Sequence, residues 1–252
     1  MAKENAWSVE DFAPHPPWPS KLISPIDQVE MVLIPAGEFL MGITEEELKQ
    51  VFILDGTQNP VFMTEVPLRR VTLKDYYIDI HPVTNYQYER FLEETSHRRP
   101  SFWGREGWND PLQPVVGIGW NDARAYARWA GKSLPTEAQW EKAARGTDRR
   151  WWPWGNDFYP GFCNSAELGL NRVTDVTRFH KGVSPYGCYD MAGNVWEMCE
   201  GVWLEGHLPM RGGCFLGGAT FVRTTVRWSA EDQVNGAHWL GFRCVKNIRE
   251  ES

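Results

Sequence analysis

No run of this chain reaches the roughly 18 consecutive apolar residues that a membrane-spanning helix needs, so a helical membrane protein is excluded. Positive charge is scarce as well. Lys and Arg number 26 against 33 Asp and Glu, a net charge of −7. That balance leaves no basic footprint for nucleic acid. Cysteine is missing from the first 162 residues, and Cys163, Cys188, Cys199, Cys214 and Cys244 form no C-x-x-C pair. An odd count without that spacing argues against a disulfide framework and against a zinc site. The five are expected to be small buried hydrophobes. The six histidines include no i,i+4 pair and no His-x-Asp/Glu pattern, so no histidine-ligated iron centre is expected. The N-terminal MAKENAWSVEDF is polar and acidic, unlike a signal peptide, and a cytoplasmic location is the expectation. Internal repeats and low-complexity tracts are absent.

What is present is aromatic and turn-forming. Fourteen Trp and 23 Gly point to a loop-rich fold whose irregular segments are pinned by buried rings. Residues 1–28 carry Pro14, Pro16, Pro17, Pro19 and Pro25 and read as an extended arm, followed by a single domain over 29–248. Val29 to Met41 is strand-like with a Pro-Ala-Gly turn inside it, and Arg70 to Ile80 is a second strand-like stretch. Helices are expected where capping boxes precede helical periodicity. Thr44–Glu47 opens a short helix to Leu54, Thr84–Gln87 a second, and Thr136–Gln139 a third that Gly146 ends. Another helix begins near Asn121, with Ala123, Tyr126, Ala127 and Ala130 on one face and Gly131 at its stop. From Thr147 onward helical periodicity is lost, and short strands with long ordered loops are expected.

The most informative run is PYGCYDMAGNVWEMC, Pro185 to Cys199. It is followed by Arg211-Gly212-Gly213 and by Gly241-Phe242-Arg243. Earlier come Ile34-Pro35-Ala36-Gly37-Glu38-Phe39, Pro82-Val83-Thr84-Asn85, Pro114-Val115-Val116, Trp120-Asn121-Asp122-Ala123, Leu134 to Glu141, and Trp152-Pro153-Trp154-Gly155-Asn156. With these motifs in this order the chain resembles the formylglycine-generating-enzyme, or sulfatase-modifying-factor, family. The resemblance covers residues 30–246. It implies an α+β, C-type-lectin-like fold with few helices, short strands and a loop-rich C-terminal half.

The resemblance also implies structural Ca²⁺, which takes six to eight oxygen ligands. One site falls on the side chains of Asp190 and Glu197 and the carbonyls of Gly193 and Val195. A second falls on Asn164 and Ser165, with Glu167 and Leu170 as the nearest candidates to complete it. The family's oxidases carry a C-x4-C pair just after the Gly-Gly motif, where soft thiolates bind Cu(I). In this chain the stretch reads RGGCFLGGATFVRTTVRW, and the ungapped register puts Gly217 and Val222 at the two positions. No copper is therefore expected, nor copper-dependent formylglycine generation.

The same scaffold serves the variable ligand-binding proteins of diversity-generating retroelements, whose changing residues lie between the Gly-Gly motif and the last Gly-Phe-Arg. The corresponding window is Cys214 to Leu240. Its candidate ligand-binding residues are Phe215, Leu216, Phe221, Arg223, Trp228, Asp232, His238 and Trp239, aromatics and charges on a rigid frame. The expected function is a protein that binds another protein or a small molecule, a retroelement-type variable protein being its narrower form. The alternative is an atypical oxidase or oxygenase of a biosynthetic pathway.

Overall fold

A computed structural model describes residues 19–201, 203, 207–231 and 236–248. Among these residues the chain forms an α+β fold of four α-helices and ten short strands. The first sheet has the order β1-β2-β5-β10, built from Lys21–Ile23, Glu30–Ile34, Tyr76–Asp79 and Val245–Asn247. All its pairs are antiparallel, with Val32 opposite Ile78 and Ile78 opposite Val245. The N-terminal and C-terminal ends of the domain thus meet in one sheet. Lys21 to Ile23, placed in the arm by the proline pattern, is an edge strand of that sheet. Residues 1–18 of the expected arm lie outside the described residues.

β3 (Gly37–Met41) and β4 (Arg69–Leu73) form a separate two-stranded ribbon. Val29 to Met41 is therefore two strands in two sheets, and so is the Arg70 to Ile80 stretch. The third sheet has the order β8-β7-β6-β9, from Arg227–Glu231, His207–Arg211, Trp196–Met198 and Leu240–Gly241. Within it β6 and β9 run parallel, which joins the Gly-Asn-Val-Trp-Glu motif to the final Gly-Phe-Arg.

The helices follow their caps. α1 (Glu45–Asp55), α2 (Asn85–Thr95) and α4 (Glu137–Arg145) start at Thr44, Thr84 and Thr136, each with a reciprocal capping box. α3 (Trp120–Trp129) uses Asp122 instead, whose carboxylate accepts from the Gly119 amide at 2.9 Å. α2 and α3 face each other through rings: Tyr88 stacks on Tyr126 at 5.8 Å, and Phe91 and Phe242 meet Tyr126 edge-on.

α4 is polar in sequence yet buried. Its charges serve the segment 35–42: Lys142 Nζ donates to the carbonyls of Pro35 (2.6 Å) and Gly37 (3.1 Å), and Arg145 to that of Gly42 (2.9 Å). Glu141 accepts from the Gly42 amide and pairs with Arg211 of β7. Irregular backbone is thus satisfied by side chains rather than by a ladder. All five cysteines are free and buried, as their lack of pairing predicts. No described helix is long and apolar enough to cross a membrane.

Candidate functional site

The third sheet carries an apolar groove of about 440 Å³. Trp196 of β6, Met210 of β7 and Trp228 of β8 stand on its strands. The 214–221 loop adds Cys214, Leu216, Gly217, Gly218 and Phe221, and Trp239 closes the wall. Trp228 lies 6.2 Å from both Trp196 and Phe221, ring centre to ring centre. The loop is rigid: Gly217 N donates to Cys214 O at 2.9 Å, Ala166 N to Gly217 O at 2.9 Å, and Phe221 N to Gly218 O at 2.8 Å. Leu216 remains 51% exposed and Trp228 39% exposed. Burial pushes the Cys214 thiol up to about 11, so it is a neutral wall group, not a nucleophile.

Of the residues expected to bind ligand, Leu216, Phe221, Trp228 and Trp239 converge on this groove. Three do not. Phe215 turns inward and packs with Val116, Val173 and Val195. Arg223 is buried and forks onto Glu65 at 2.6 and 2.9 Å, so its guanidinium holds the 3-10 turn Pro60–Glu65 to the loop. His238 lies among Phe102, Trp108 and Phe215, at 5.2 to 5.9 Å, outside the groove lining. Asp232 lies outside the described residues. Trp196 and Met210 were missed, because a buried strand residue beside a groove carries the same sequence signal as one in the core.

Gly217 and Val222, the positions that align with the oxidases' C-x4-C pair, are set apart by the loop's packing. Gly217 lines the groove, while Val222 is buried with Trp152, Cys163 and Ala192. A Cβ at Gly217 would stand 2.9 Å from Phe221 Cβ, so Phe221 occupies the room that a side chain there needs.

The two sets of residues expected to hold calcium present a different picture. Asp190 has a left-handed backbone (φ +55°) and accepts from the Thr177 amide through Oδ2 at 3.3 Å. Its Oδ1 is buried without a partner. Burial raises its carboxyl to about 7. Gly193 has φ +74° and crosses the Asn164 carbonyl so closely that a Cβ would stand 2.2 Å from it, which only glycine permits. Val195 is buried beside it. Glu197 is committed elsewhere: Arg243 forks onto it at 2.6 and 2.7 Å, and the Trp140 indole donates at 2.9 Å. A carboxylate offers about four lone-pair sites, so Glu197 keeps a single site on Oε1.

In the second set, Asn164 Oδ1 is also buried and unpartnered. Its Nδ2 donates to the Arg172 carbonyl at 2.9 Å and to Asn194 Oδ1 at 3.2 Å. Ser165 is buried, and its hydroxyl donates to Glu167 at 2.6 Å. Glu167 in turn accepts from the Ala219 amide at 2.7 Å, tying this turn to the groove loop. Asp190 and Asn164 each supply a buried, unpartnered oxygen of the kind a hard cation takes. Among the described residues no cluster of three or more His, Cys, Asp or Glu side chains could hold a metal.

The family model of the sulfatase-modifying factor enzyme 1-like domain matches residues 21–248. YfmG of Bacillus subtilis is 32% identical over 91% of this chain, which spans 57% of that protein's length. The bovine inactive C-alpha-formylglycine-generating enzyme 2 is 32% identical over 86% of this chain and 88% of its own. The formylglycine-generating enzyme of Thermomonospora curvata is 33% identical over 69% and 71%. Among solved structures, PvdO from Pseudomonas aeruginosa superposes with a TM-score of 0.75 at 26% identity, covering 90% of this chain and 98% of that one. Treponema denticola variable protein 1 gives 0.67 at 18% identity over 91% and 99%, a likeness of fold alone.

Proposed function

The chain belongs to the sulfatase-modifying factor enzyme 1-like domain family, and from that premise we propose that it is a ligand-binding member that does not generate formylglycine with copper. Overall identity does not decide the matter, since relatives named as inactive and as active match it equally well. The observation that carries the reading is the groove. Where the resemblance calls for two thiolates, Gly217 lines an aromatic wall and Val222 is core. A lone buried thiol at Cys214 cannot give two-coordinate Cu(I).

What remains is a rigid cleft of four aromatic rings with exposed apolar surface on Leu216 and Trp228. Its volume lies within the range of small-molecule sites, roughly 300–1,000 Å³. Aromatic anchors of this kind dominate binding energy. The ligand class is an uncharged aromatic or aliphatic group, on a small molecule or a protein, because no formal charge lines the cleft. The groove's exposed wall falls inside the 214–240 window, which supports the narrower form, a retroelement-type variable protein. A neighbouring reverse transcriptase gene with a template repeat matching codons 214 to 240 would distinguish it.

The Asp190 loop would hold the calcium ion, through Asp190 Oδ1, the carbonyls of Gly193 and Val195, and the remaining site on Glu197. When bound, the ion would supply a structural clip under the third sheet, not a reacting centre.

Fluorescence titration with N-phenyl-1-naphthylamine, an uncharged aromatic probe, tests the binding site. Saturable binding that quenches tryptophan emission is expected, weakened at least about tenfold by Trp228→Ala. An absence of saturable binding, or binding indifferent to Trp228→Ala, would contradict the reading.

A further inference from the structure

One wall of the aromatic groove is loop rather than strand. It runs from Cys214 to Gly218 and into the 3-10 turn Ala219–Val222, which carries Phe221. A single turn of this kind has little stability of its own. Gly218 stands at its N-cap and has no side chain with which to cap it.

The missing acceptor comes from 52 residues earlier in the chain. Glu167 Oε1 accepts from the Ala219 amide at 2.7 Å, and Glu167 Oε2 accepts from the Ser165 hydroxyl at 2.6 Å. One oxygen orients the carboxylate and the other holds the turn. Each bond has an ionised acceptor, which makes it roughly twice as strong as a neutral one. Gly218 lies close against the carboxylate, since a Cβ there would stand 3.3 Å from Glu167 Oε1.

The support behind Glu167 is fixed. It stands on the 3-10 turn Ala166–Leu168, which Gly169 stops with φ +64°. Asn164 and Ser165 before it are buried. The Asn164 carbonyl accepts from Asn194 N at 2.8 Å, and Ala166 N donates to the Gly217 carbonyl at 2.9 Å. The groove turn is held from other sides too: Trp152 Nε1 donates to the Ala219 carbonyl at 3.0 Å, and Thr220 Oγ1 to Asp55 Oδ1 at 2.7 Å. Glu167 is exposed, so its carboxylate adds no core packing.

We propose that Glu167, which does not itself line the groove, is the groove's positioning residue. Its carboxylate caps the turn, keeps Gly218 and Phe221 in place, and so holds the groove in its binding shape before a ligand arrives. The inference rests on the groove reading above. A binding shape that is populated only part of the time weakens apparent affinity by that fraction.

Fluorescence titration with N-phenyl-1-naphthylamine tests it, in EGTA so that no bound cation contributes, together with hydrogen–deuterium exchange of the free protein. Glu167→Ala should weaken binding at least about fivefold. It should also speed exchange in the segment 214–222 while β6 and β7 stay as protected as before. Glu167→Gln keeps an oxygen for the Ala219 amide and an NH₂ that can donate to the Ser165 hydroxyl, and should restore affinity to within about twofold of wild type. Glu38→Ala removes an exposed carboxylate paired with Arg70 on the β3–β4 ribbon, and should change neither readout. Wild-type protein without saturable binding contradicts the groove reading, and this inference with it. Three results overturn this inference alone: binding that Glu167→Ala leaves intact, a Glu167→Gln variant as weak as Glu167→Ala, or faster exchange spread over the whole third sheet.

Discussion

Leu216 and Trp228 keep apolar surface in water that packing of the third sheet does not require. Exposed large apolar side chains around a cleft mark an interaction site more often than accident does. Leu216→Glu tests the groove without disturbing the core, because the side chain is half exposed. It should lower affinity for an uncharged aromatic probe at least about tenfold, read by fluorescence titration, with an unchanged circular dichroism spectrum. Glu197 and Arg243 make the opposite point. Sequence presented Glu197 as a metal ligand, whereas the structure gives most of its acceptor capacity to Arg243 and Trp140. Arg243→Ala leaves a buried carboxylate without its counter-charge and should cost about 3–5 kcal/mol in urea unfolding. At this scale the sequence marked the exposed groove residues well. It could not separate Phe215 from Leu216, since which neighbour turns inward depends on the loop's packing against Val116 and Val173.

The helices were legible as elements because their starts are written locally. Each Thr-x-x-Glu or Thr-x-x-Gln box is a short-range signal that tertiary contacts did not need to supply. Strand partners were not legible. β2 and β3 are separated by a Pro-Ala turn and look like a hairpin, yet β2 pairs with β5 and β3 with β4, both far along the chain. The Asp190 to Glu197 loop is the element with the clearest chemical test. Burial raises the Asp190 carboxyl to about 7 in the metal-free chain, so a bound cation must displace its proton. Calcium should therefore raise Tm more at pH 8 than at pH 5.5, and chelation should remove the gain. Asp190→Asn should remove most of this pH dependence. Differential scanning fluorimetry across the two pH values, with and without EGTA, checks it.

The whole molecule is held by charges placed where sheets and helices lack ladders. Lys132 Nζ reaches Asp27 and Asp79 at 2.7 Å each, and the Tyr126 hydroxyl donates to Asp27 at 2.9 Å. This buried group joins β5, the turn between β1 and β2, and the segment that follows α3. Burial, with the Asp27 charge beside it, raises the Asp79 carboxyl to about 6 against the Lys132 ammonium. A carboxyl whose folded pKa is raised stabilises the fold below its unfolded value, near 4, and that stability is lost as pH rises through the folded value. Unfolding free energy in EGTA should thus fall between about pH 4 and pH 6, and Asp79→Asn should flatten that slope in urea titrations. None of these partners could be read from sequence, because they are joined only by the fold.

Family membership was legible from the ordered motifs, while the activity rests on a few atoms in one loop. Anaerobic titration with Cu(I), followed by exposure to O₂ with a cysteine-containing peptide, tests that point most directly. The groove with Gly217 and Val222 predicts no stoichiometric high-affinity Cu(I) binding and an unchanged cysteine by mass spectrometry. One tightly bound equivalent of Cu(I) with O₂-dependent conversion of the peptide cysteine would contradict it.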